Sequence, residues 1–140
     1  MSELHPDLQQ VFDWIDAHRD EAIADLQRFV QQPSVSAQNI GLEECAELVV
    51  EMMHADGLDA TAYPTPDGPP CIIGHMPTDS SEKTLLCYAH YDVQPVEPVE
   101  LWTYPPYSGK VADGRRWGRG ATDNKSGVLA VTKAAKAWLQ

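Results

Sequence analysis

The chain has 140 residues, 43% apolar, 22% charged and 8% aromatic, with a formal net charge of −11. That length suits one domain with a real buried core, and no stretch approaches the ~20 apolar residues of a membrane-spanning helix. An acidic surface argues against nucleic acid and anionic membranes as partners. The charge is uneven: residues 1–60 carry −11, residues 61–100 carry −5, and residues 101–140 carry +5. The N-terminus, Met1-Ser2-Glu3-Leu4-His5-Pro6, lacks the basic and apolar regions of a signal peptide, so secretion is not expected. Cys45, Cys71 and Cys87 form an odd set without CxxC spacing. They read as reduced thiols of a cytoplasmic protein, with Cys87 as small core filler.

In chain order, Leu8, Val11, Phe12 and Ile15 recur at helical spacing, as do Ile23, Leu26, Phe29 and Val30. They predict one long helix over Pro6–Gln31, or two with a break near Ala17–Asp20. Gln32-Pro33-Ser34-Val35-Ser36 ends it. A further helix starts near Gly41 or Leu42, with Glu43, Glu44 and Glu47 where carboxylates suit the helix dipole, and ends at Gly57. Leu58–Tyr63 and Cys71–His75 read as strands around a Pro-, Gly- and Asp-rich turn over Pro64–Pro70. Thr84–Tyr88 is continuously apolar, as expected of a strand buried on both faces. Asp113-Gly114 signals a hairpin between Lys110–Ala112 and Arg115–Trp117. From Ser126 onward, Val128, Leu129, Val131, Ala134, Ala135 and Trp138 mark a last helix. Together these elements predict an α/β layered domain.

The run Leu85-Leu86-Cys87-Tyr88-Ala89-His90-Tyr91-Asp92 carries the first chemistry. Residues two apart in an extended chain face the same side, so His90 and Asp92 project together at the strand's end. An imidazole beside a carboxylate suits a metal ligand with a polar partner that orients it, although His-x-Asp alone is weak evidence. Downstream, Gly118-Arg119-Gly120-Ala121-Thr122-Asp123-Asn124-Lys125-Ser126-Gly127 places two glycines just before a helix. Asp123 and Asn124 stand at that helix's start, where an acid also serves as a simple N-cap. A dinucleotide-binding reading fails for want of a third glycine, and Lys125 does not stand where a phosphate-binding loop requires it.

Taken together and in order, His90-x-Asp92, Gln94-Pro95, Trp102, Pro105-Pro106, Asp113-Gly114 and Gly118 to Gly127 resemble the zinc peptidase family of carnosinases and cytosolic dipeptidases. Aminoacylase, acetylornithine deacetylase, succinyl-diaminopimelate desuccinylase and glutamate carboxypeptidases belong to the same family. The resemblance is densest over Thr84–Ala130 and extends loosely to the rest, including Pro33-Ser34-Val35-Ser36. It implies a layered zinc-exopeptidase-like catalytic domain with a mixed central sheet, present only in part. It implies that His90 ligates one metal, Asp123 bridges two Zn2+ ions (Mn2+ or Co2+ in their place), and Asp92 is a catalytic residue that orients His90. Asn124 stands where many relatives have aspartate, and Lys125 matches a family lysine whose role the sequence leaves open.

The same resemblance implies a two-metal hydrolase that cleaves the amide bond of dipeptides or small peptides by metal-activated water. Residues 1–140 would be its N-terminal part, without the inserted dimerisation or lid domain and without the later ligands and Glu-Glu general base. Glu43-Glu44 precedes His90 and opens a helix, so it is a decoy for that pair. His5, His18, His54 and His75 stand in no ligand-like spacing. The full-length form is expected to be a homodimer. An N-acyl amino acid amidohydrolase and a non-catalytic truncated domain are the alternatives, and the segment alone is expected to be inactive.

Overall fold

The computed structural model describes residues 5–66, 68–78 and 83–140. Helices α1 (Pro6–Ala17) and α2 (Arg19–Gln31) break at His18, as the second form of the sequence reading has it. The His18 ring stacks on Trp14 and its Nδ1 lies 2.8 Å from the Trp14 carbonyl, so this histidine is spent on the helix junction. Helix α3 (Leu42–Ala55) begins after Gly41 at φ 66°, where a Cβ would meet the Pro33 carbonyl oxygen at 2.4 Å. Glu43 and Glu44 lie exposed in its first turn, as a helix start requires.

Strands β1 (Asp59–Thr65) and β2 (Gly68–His75) form an antiparallel hairpin, pairing Asp59 with His75 and Ala62 with Ile72. Both strands run further into the Pro- and Gly-rich stretch than its composition suggests. The Nε2 of His54 reaches the Ala60 carbonyl at 2.9 Å, which ties α3 to this hairpin. Strands β3 (Lys110–Ala112) and β4 (Arg115–Trp117) pair around Asp113 and Gly114, whose φ values of 54° and 68° are those of a two-residue hairpin turn. Helix α4 (Lys125–Trp138) closes the chain and packs on α1 and α2.

The core gathers Phe29 of α2, the α3 stripe Leu42, Cys45, Ala46, Leu48 and Val49, and Tyr91. The stripe follows from helical spacing, and each of these side chains is almost wholly removed from water. At the opposite end of α4, Lys133 Nζ sits 2.6 Å from Asp25 and 2.8 Å from Asp56, whose side chain is 2% exposed. Lys136 adds a contact to Asp56 at 3.1 Å, and Lys133 joins α4 both to Asp25 of α2 and to the buried carboxylate at the end of α3.

Lys125 is fully buried at the start of α4. Its Nζ donates to the carbonyl of Phe29 at 2.9 Å and to that of Gln32, both at the end of α2, and lies 4.9 Å from the Phe29 ring centre. Unpaired carbonyls and the negative end of the dipole at a helix C-terminus are what a cation satisfies. Burial pushes the ammonium below the ordinary lysine range, with Cys45, 3.7 Å away, opposing the shift. Lys125, whose role the sequence leaves open, thus has a structural task here. Lys125→Met keeps most of the apolar stem but orphans two carbonyls, each worth ~1–3 kcal/mol when buried unpaired. Some of that loss is offset by no longer burying an ammonium, so the expected net destabilisation is about 2 kcal/mol. A urea titration of the variant beside the parent chain checks it.

Thr84–Tyr88 departs from its reading as a buried strand. The segment pairs with no strand among the described residues, and Leu85, Leu86 and Tyr88 are 87%, 91% and 84% exposed. Cys87 is exposed rather than core filler, and Cys71 is exposed as well. Continuous hydrophobicity reports a demand for neighbours on two faces, and among the described residues neither hairpin extends its sheet onto the segment. A groove of about 490 Å3 runs beside the segment between α3, β2 and α4, lined by Val49, Met53, Ile72, Val128 and Val131 among others.

Candidate metal centre

The extended segment becomes fixed where it reaches the site. The amide of Val93 donates to the Ser34 carbonyl at 2.8 Å, and the Ser34 hydroxyl, fully buried, donates to the Tyr91 carbonyl at 2.7 Å. Val35 forms a parallel bridge to Val93 and an antiparallel one to Ile40. Tyr91 points inward, its hydroxyl donating to the Pro70 carbonyl at 2.9 Å, and burial raises that phenol well above its ordinary range. With Tyr91 and Val93 buried, alternation turns His90 and Asp92 to the opposite, half-exposed side.

There the His90 Nδ1 lies 3.2 Å from Asp92 Oδ1 and 3.1 Å from the Asp92 carbonyl oxygen. Nδ1 thus faces two acceptors, and Nε2 is the ring nitrogen turned outward. Nε2 meets Asp123 Oδ1 at 3.1 Å. The Asp123 side chain is 85% exposed, and its carboxylate faces the imidazole instead of capping α4. The N-cap position belongs to Asn124, which makes no side-chain capping bond, and the Asp123–Asn124 peptide is cis.

The turn that carries Asp123 is held by close approaches. Gly120 has φ 83°, and a Cβ on it would lie 2.7 Å from the Val93 side chain, so glycine is required for this turn to sit against the His90 segment. Arg119 stacks its guanidinium 5.0 Å from the Trp102 ring centre and donates to the Pro95 carbonyl at 2.9 Å. The Trp102 indole N–H donates to the Val96 carbonyl at 2.8 Å, which explains the Gln94-Pro95, Trp102 and Gly118-Arg119-Gly120 pattern as one packed unit.

The structure therefore brings all three sequence candidates, His90, Asp92 and Asp123, into one contact chain. An imidazole nitrogen and carboxylate oxygens are donors that suit zinc in kind. They do not suffice in number. Among the described residues no group of three His, Cys, Asp or Glu side chains is arranged for a metal ion, whereas zinc usually takes about four donors. Sequence reasoning missed Ser36, whose hydroxyl donates to Asp92 Oδ2 at 2.7 Å. No local signal marks it, because Ser36 and Asp92 are 56 residues apart and meet only through the bridge between Val35 and Val93.

Residues 86–140 match the model of peptidase family M20/M25/M40. The chain belongs to this family. The human Beta-Ala-His dipeptidase is 34% identical, with 94% of this chain and 29% of that protein aligned. A succinyl-diaminopimelate desuccinylase from Cereibacter sphaeroides is 35% identical over 79% of this chain and 28% of its own length. The M20 family metallo-carboxypeptidase from Sulfolobus solfataricus superposes with a TM-score of 0.78 at 36% identity, over 85% of this chain and 27% of that one. The M20 segment thus spans less than a third of each of these relatives. Among the described residues no helix is long and apolar enough to cross a membrane.

Proposed function

We propose that this M20 segment is the N-terminal part of the catalytic domain of a two-metal hydrolase acting on dipeptides or other small amides. The observation that supports it most is the convergence of His90 Nε2 on Asp123 Oδ1, with Asp92 braced on the far side of the ring. In this reading His90 and Asp123 would hold Zn2+, with Mn2+ or Co2+ as substitutes, and Asp123 would be shared by a pair of ions. Zinc bound there would polarise the scissile carbonyl and make a water nucleophilic near neutral pH. Asp92 keeps the Nδ1 proton in place, so that the Nε2 lone pair stays directed at the metal position. The remaining donors and the general base belong to sequence outside these 140 residues, as does a dimerisation or lid domain of a homodimeric enzyme. Three free cysteines agree with a reducing cytoplasm.

A dipeptide substrate rests on the relatives' names, with the N-acyl amino acid amidohydrolase reading next in line because a desuccinylase matches equally well in identity. The full-length polypeptide that carries this segment, assayed before and after chelation against dipeptides and acetylated or succinylated amino acids, decides between them. Metal-dependent cleavage of dipeptides is the expected result. Cleavage of acylated amino acids alone selects the amidohydrolase, and no cleavage of any substrate overturns the catalytic reading.

A further inference from the structure

The proposed centre depends on Asp92 holding one orientation, and the carboxylate does not achieve that by itself. Its side chain is 34% exposed, and the terminal torsion of an aspartate is broad. The backbone on either side is fixed by Ser34, which hydrogen-bonds main-chain atoms of Tyr91 and Val93. What fixes the carboxylate is the neighbouring hydroxyl. Ser36 Oγ donates its single proton to Asp92 Oδ2 at 2.7 Å, while Oδ1 is the oxygen that meets His90 Nδ1.

Ser36 is itself held. Val35 exchanges two backbone hydrogen bonds with Ile40, at 2.8 and 3.1 Å, and the amide of Asn39 returns to the Ser36 carbonyl at 3.2 Å. The short helical turn Ser36–Gln38 therefore sits on the same platform that grips Tyr91 and Val93. We infer that Ser36 is a positioning residue of this centre, acting through Asp92 to keep one carboxylate oxygen on His90. The inference rests on the reading of His90 and Asp123 as metal ligands and gives a role to a residue that the motif pattern includes without one.

The test uses the full-length metal-loaded enzyme and the variants Ser36→Ala, Ser36→Thr, Asp92→Asn and the double variant Ser36→Ala with Asp92→Asn. Four quantities are measured: kcat, KM, the rate at which a chelator strips the metal, and the thermal midpoint. Ser36→Ala is expected to lower kcat about 10-fold and speed metal loss by a similar factor, the lower end for a lost orienting partner. KM should stay within about twofold and the thermal midpoint should be unchanged, because a half-buried hydroxyl contributes little to global stability. Ser36→Thr should restore parent values, and the double variant should be no worse than Asp92→Asn. An unchanged kcat in Ser36→Ala beside an impaired Asp92→Asn overturns the role of Ser36 and leaves the metal centre standing. A loss that Thr does not restore, or one that adds fully to that of Asp92→Asn, also overturns it. If Asp92→Asn changes neither turnover nor metal retention, the reading of the centre itself falls, and any effect of Ser36→Ala then does not run through Asp92.

Discussion

Asp123→Ala in the full-length enzyme is expected to remove bound metal and turnover together, whereas Asp92→Asn keeps most of the metal and loses rate. The two carboxylates stand on opposite sides of the same imidazole, which is why the outcomes differ. Asp123 Oδ1 faces Nε2, the ligating nitrogen of the proposed centre, and its side chain is 85% exposed. A carboxylate shared by two cations also screens their mutual repulsion, so its loss affects both ions at once. Asp92 lies behind the ring at 3.2 Å from Nδ1, where the proposed centre would have it orient the imidazole without bonding the metal. Losing such a partner typically costs ~10–100-fold in affinity or activity. Metal analysis beside steady-state kinetics reads both variants. Retention of both ions by Asp123→Ala, with their loss from Asp92→Asn, would reverse the two assignments.

The 140-residue chain purified by itself is expected to hydrolyse no dipeptide with Zn2+, Mn2+ or Co2+, and to bind a hydrophobic dye or self-associate. Both outcomes have structural grounds. In the proposed centre His90 and Asp123 would supply two donors where zinc takes about four. Leu85, Leu86 and Tyr88 lie almost fully in water beside an apolar groove floored by α3, β2 and α4. Exposed apolar surface combined with unpaired extended backbone favours association. Sedimentation velocity and dye fluorescence measure the second expectation. A clean monomer that leaves the dye dark would contradict it, and turnover surviving removal of contaminating peptidases would contradict the first.

Much of this architecture was legible from local pattern alone. The helix break near Ala17–Asp20, the α3 limits at Gly41 and Gly57, and the Asp113-Gly114 hairpin each depend on residues within one turn of the chain. His90 and Asp92 belong to the same class, because a two-residue spacing in an extended segment dictates a shared face whatever surrounds it. Their convergence with Asp123 was legible only as an ordered set of motifs, since nothing local brings a turn after Gly120 onto His90.

Other features were decided by tertiary structure. Ser36 reaches Asp92 across 56 residues, and Lys125 reaches the Phe29 carbonyl across 96, so neither role leaves a periodic trace in the sequence. Asp123 faces His90 instead of capping α4, a choice open to any acid at that position until the His90 segment is placed beside it. Thr84–Tyr88 shows the boundary most plainly. Its hydrophobicity states that the segment needs covering on both faces, but an extended backbone becomes a strand only when another strand supplies its hydrogen bonds. Among the described residues none does, and the side chains remain in water.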